Sequence, residues 1–61
     1  MTVAEAIAWA AERLAGAGVD PPLLDAELLV AHAMGGDRVS VLTHPERSLS
    51  PEQDASLRAA V

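Results

Sequence analysis

Near the amino terminus, apolar residues recur at Val3, Ile7, Ala10 and Leu14, the i, i+4, i+7, i+11 spacing that lines one side of a helix. Alanine, the strongest helix former, fills most of the positions between them in "VAEAIAWAAERLAGAG". Thr2 followed by Glu5 is a capping-box pair, in which each side chain can satisfy a free backbone amide at the helix start. Gly16 and Gly18 supply the stop, because glycine readily takes the left-handed turn at a helix end. At roughly 100° per residue, Trp9 falls almost opposite the apolar stripe, beside Glu5, Glu12 and Arg13. That is an unusual place for the largest apolar side chain in the sequence.

The segment "GVDPP" breaks the pattern. A residue before proline is driven out of helical geometry, so Pro21 is expected to be extended and Pro22 to open a second helix. This helix, "PLLDAELLVAHAM", ends at Gly35 and Gly36. Its apolar residues do not form one stripe: Leu24, Leu28 and Ala31 share one side, Leu23, Val30 and Met34 another, and Leu29 a third. A helix apolar nearly all round belongs at the centre of a bundle, packed on several neighbours. Asp37 can cap a short third helix, "RVSVLTH", with Val39 and Leu42 facing inward and Val41 as a further candidate for that face. After the loop "PERSL", Ser50, Pro51 and Gln53 give another capped start, and Asp54 can pair with Arg58 one turn on. This last helix offers only Leu57 and Val61 as sizeable core residues and reaches Val61 without a C-cap. The pattern predicts an all-α fold, a small bundle of about four helices with the last one truncated. No strand, repeat or low-complexity stretch competes.

Composition narrows the function. Sixty-one residues allow at most one small domain, and with no cysteine it has no disulfide to stabilise it. Four arginines against nine acids leave a net charge of −5, which repels phosphate backbones and suits a basic protein partner. Neither a signal peptide nor a membrane-length apolar run is visible, and the expected compartment is the cytoplasm.

Candidate chemistry is sparse. Asp25 and Glu27 lie two apart, about 200° around the helix, so their carboxylates diverge and cannot converge on one reacting group. Both are better placed to favour the helix N-terminal dipole, and Glu27, between apolar flanks, is expected to reach an arginine from elsewhere. Asp25, Glu27, Leu28 and His32 therefore read as structural residues. His32 and His44, without cysteines or metal-ligand spacing, do not make a metal site, and His44 suits a helix end. The glycines follow helices rather than strands, so no phosphate loop is present, and no nucleophile motif is either. Two readings of Trp9 stay open. It is a partner-binding anchor together with Glu5, Glu12 and Arg13, or it covers the bundle edge and packs on a later segment. Two helices joined through "GGD" also suggest a helix-turn-helix, but the second carries only Arg38, too few cationic or amide groups to read DNA.

The order of the pieces resembles a known family. The first helix ends "AAERLAGAGV", a proline precedes "LDAELLVAHAMG", and "DRVSVLTHPER" leads to the proline-led start "LSPEQ". This succession, most specifically "DAELLVAH", is similar to the N-terminal domain of the HemK/PrmC-type peptide chain release factor glutamine methyltransferases. The resemblance implies a small helical bundle that helps to hold the release factor, joined by a linker to an α/β catalytic domain. That second domain holds S-adenosylmethionine and an N-P-P-Y type motif, and it methylates the glutamine of the G-G-Q motif in bacterial release factors. Neither the cofactor loop nor N-P-P-Y occurs here, so no catalytic or cofactor-binding residue carries over to this chain. The resemblance also implies that the sequence stops before the last helix of the domain. The implied partners are the release factor and the protein's own catalytic domain, with no direct nucleic acid and no membrane. A stand-alone helical adaptor is the competing reading, and the residues encoded after Val61 discriminate the two.

Overall fold

Thr2 opens the first helix by the reciprocal bonds its sequence suggests. Its backbone N–H donates to Glu5 Oε1 at 2.8 Å, and its hydroxyl accepts from the Glu5 amide at 3.2 Å. In the computed structural model, which describes residues 1–61, this helix is α1 (Val3–Gly16). It is followed by α2 (Pro22–Met34), α3 (Arg38–Thr43) and α4 (Pro51–Ala60), with no strand among them. The next free amides of α1 are satisfied from far along the chain. Val3 N–H donates to the Arg47 carbonyl at 2.7 Å, and Ala4 N–H to that of Pro45 at 3.1 Å. An antiparallel bridge between Thr2 and Ser48 and a Leu49 N–H to Met1 carbonyl bond hold this loop against the amino terminus. Leu49 is thereby buried, a core residue that the loop sequence did not announce.

Pro21 is extended, with φ −82° and ψ 134°, behind a cis Asp20–Pro21 bond, and Pro22 begins α2 as expected. Gly18 and Gly35 alone have positive φ, at 87° and 73°. In each case the following amide reaches back to the last helical turn, Val19 to Leu14 and Gly36 to Ala31, which closes the helix end. Asp37 caps α3 through Oδ1 on the Ser40 amide, and Ser50 caps α4 in a second reciprocal box with Gln53.

The core consists of Val3, Ala6, Ala10, Ala26, Val30, Ala31, Val41, Leu49 and Leu57. Small residues dominate it where α1 and α2 pack together, and the buried stripe of α1 is therefore Val3, Ala6 and Ala10. Ile7 and Leu14, expected on that stripe, lie partly buried beside it. α2 is central, touching α1, α3 and α4. Its apolar surface is not covered all round, however: Leu23, Leu24 and Leu28 are 55, 40 and 49 % exposed. Leu28, expected to help hold the domain, lies outside its core.

Of the three residues offered for the inner face of α3, only Val41 takes it. Val41 is 4 % exposed, whereas Val39 and Leu42 are 73 and 45 % exposed. Arg38 Nε donates to Glu27 Oε1 at 2.8 Å, which anchors the start of α3 on α2. Val61, the second residue expected in the core of the last helix, is 40 % exposed.

Candidate partner-binding surface

Trp9 is neither bare nor buried. The Cζ atoms of Arg13 and Arg58 lie 4.9 and 5.1 Å from its ring centroid, within range of a cation–π attraction. Arg13 comes from the next turn of α1, and Arg58 from α4, where Asp54 Oδ2 holds its Nε at 3.0 Å. The indole also packs against the core, so it ties α1 to a helix that otherwise packs chiefly on α2. Sequence reasoning set Asp54 and Arg58 as a pair but could not place Arg58 over the tryptophan.

Trp9, Glu12, Arg13 and Gly16 line one open concavity on the outside of α1. Glu5 does not join them. It sits at the start of the helix, engaged with Thr2, and the hydrogen bond from the Thr2 backbone amide, then that with the Thr2 side chain, holds its carboxyl below the usual range. What the concavity presents is an aromatic edge between an acid and a guanidinium.

The structural residues separate as their spacing requires. Glu27 is 8 % exposed and bonded to Arg38, while Asp25 and His32 face solvent. His44 ends α3 exposed, with Nδ1 3.7 Å from Glu46 Oε1. A more enclosed cavity, about 270 Å³ including its mouth, is lined by Val3, Met34, Gly36, Ser40, Val41, His44 and Arg47. No three acidic, histidine or cysteine side chains meet in a metal-binding group, and no helix is long and apolar enough to cross a membrane. The residues present do not fit S-adenosylmethionine, since no strand exists from which a glycine-rich loop could cradle it. The helix-turn-helix resemblance weakens further: α3 has six residues, and its one cation is bonded inward to Glu27.

Comparison with known proteins completes the picture. The family described as "PrmC N-terminal domain" matches residues 5–61. A release factor glutamine methyltransferase of Caulobacter vibrioides is 44 % identical over 59 residues, covering 93 % of this chain and 20 % of that protein. The release factor glutamine methyltransferase of Cereibacter sphaeroides is 41 % identical over 61 residues, covering 100 % of this chain and 22 % of that protein. The chain thus spans about a fifth of the length of these relatives. No solved structure matches. With four helices in a small bundle, and a family match that runs from Glu5 to the last residue, the chain belongs to the PrmC N-terminal domain family, the N-terminal helical domain of release factor glutamine methyltransferases.

Proposed function

We propose that residues 1–61 are a release-factor-binding domain that presents the protein substrate to a separate catalytic domain. In this reading the whole protein is a cytoplasmic, S-adenosylmethionine-dependent methyltransferase acting on the G-G-Q glutamine of bacterial release factors. The observation that carries it is the near-complete match of this chain to about a fifth of two named release factor glutamine methyltransferases. A bundle without strand, metal group or convergent acids has no chemistry to contribute, so the remaining four-fifths of such a protein must hold the cofactor and the reaction. Binding is the role left to the bundle. Its partners are the release factor and its own catalytic domain, not nucleic acid.

The face offered first is the α1 concavity of Trp9, Glu12 and Arg13, with Glu5 toward one end of the same helix. A net charge of −5 favours a basic patch on the release factor and makes the association sensitive to salt. Titration of the chain into a purified bacterial release factor, at low and high salt, tests this directly. Wild-type binding should weaken as salt rises. Trp9→Ala should weaken it by about tenfold at either salt, the usual scale for an aromatic anchor. Unchanged affinity for the variant together with no salt dependence would sink the α1 assignment.

A further inference from the structure

The concavity on α1 holds an acid without a partner and a cation without a tether. The ion pairs of the molecule join Arg38 with Glu27, His44 with Glu46 and Arg58 with Asp54, so the exposed Glu12 and Arg13 are both unpaired. Arg13 reaches back one turn instead, and its Cζ lies 4.9 Å from the Trp9 ring centroid. Arg58 approaches the same ring at 5.1 Å but differs in two respects. Asp54 Oδ2 holds its Nε at 3.0 Å, and it is not among the residues that line the concavity. Arg58 therefore props the indole from α4, whereas Arg13 covers it on the open side.

The groups left in the concavity once Arg13 is set aside are an indole and a carboxylate, and both attract cations. The ring does so through its quadrupole and the acid through its charge. Gly16 adds no side chain, and a Cβ built there would meet nothing within 4 Å, so the space beside them is open. Anions are poor occupants, because Glu12 repels them in a chain of net charge −5. An uncharged apolar group leaves the acid unanswered. A lysine or arginine side chain answers both the ring and Glu12. Arg13 cannot serve both at once, since neighbours in sequence on a helix do not face each other. Its displacement costs one exposed cation–π contact and leaves the α1 core of Val3, Ala6 and Ala10 untouched.

We infer that the Trp9–Glu12 concavity receives one lysine or arginine side chain of the bound protein, and that Arg13 is the internal occupant this side chain displaces. The inference rests on the release-factor reading above and adds to it the chemical group recognised and a residue that opposes binding. Arg13 is thus a cover on the site rather than a contact within it.

The experiment compares wild type, Arg13→Gln, Arg47→Gln and Glu12→Gln, each checked for helical circular dichroism, in titrations with a purified bacterial release factor at low salt. Arg47→Gln is the charge control: exposed and unpaired, Arg47 lines the other cavity, so its loss removes the same charge without uncovering the ring. Arg13→Gln should bind about two- to fivefold more tightly than Arg47→Gln, the scale of one exposed cation–π contact. In a Trp9→Ala background that difference should vanish. Acrylamide should quench the emission of Trp9, the single tryptophan, more strongly in Arg13→Gln than in wild type. Glu12→Gln should weaken binding by about two- to threefold and flatten its salt dependence. An Arg13→Gln variant that binds no better than Arg47→Gln overturns the inference and leaves the release-factor reading intact. A Glu12→Gln variant that matches wild type overturns the assignment of a cationic occupant. Failure of wild type and all variants to bind removes the release-factor reading and the inference with it.

Discussion

Glu27 shows how far a single residue can be read. Its carboxylate sits between apolar flanks, 8 % exposed, and its Oε1 takes the Arg38 Nε at 2.8 Å. Need for a cation followed from the sequence alone, because a buried acid without one is costly. Which arginine would answer depended on how α3 folds back, and that is tertiary. The Arg38 side chain is 47 % exposed, so the bond is neither a surface pair nor a fully buried one. Arg38→Ala should lower the unfolding free energy by about 2 kcal/mol, the scale of a hydrogen bond to a charged group, as measured by urea denaturation. A change within about 0.5 kcal/mol would place the pair with ordinary surface contacts. Glu5 offers a test by pH. Its bonds with Thr2 depress its folded pKa, so the stabilisation it gives is present above the ordinary glutamate value of about 4.3 and lost as pH falls through the lower folded value. Between pH 6 and pH 3, Glu5→Gln should therefore show a shallower fall in melting temperature than wild type. Identical slopes would mean that the carboxylate adds nothing to the cap.

Helix starts and stops were legible because their chemistry is local. Thr2 with Glu5, Ser50 with Gln53, and Pro22 each act within three or four residues, and each forms as its spacing suggests. α3 was legible as a helix but not in its rotation. Under two turns, Val39, Val41 and Leu42 satisfy more than one inward face, and packing against the rest of the bundle, which is tertiary, decides among them. Val41→Ala should cost about 1–2 kcal/mol for the two buried methyl groups it removes. Val39→Ala, at 73 % exposure, should stay within about 0.5 kcal/mol. A larger loss for Val39→Ala than for Val41→Ala in thermal or urea unfolding would contradict this orientation of α3. The loop 44–50 was the least readable element, since its role is to supply carbonyls to the start of α1 across the whole chain. Nothing in "PERSL" marks Leu49 as core.

For the molecule as a whole, the interior is small, four alanines, three valines and two leucines, and the charge is one-sided. The all-helical class and the family were readable from the order of caps, prolines and glycines, because those features survive without knowledge of packing. The surface was read only in part. Trp9 stood out as unusual, yet half of its setting comes from Arg58, while Leu23, Leu24 and Leu28, read as part of a central helix, are exposed. The central claim is that this bundle binds the release factor, and a titration of the isotopically labelled chain with unlabelled release factor, followed by amide and Trp9 indole resonances, tests it most directly. At low salt, saturable shifts are expected at the Trp9 indole and along the Trp9, Glu12 and Arg13 face of α1, reversed by added salt. Spectra that stay unchanged through a stoichiometric excess of release factor would contradict it.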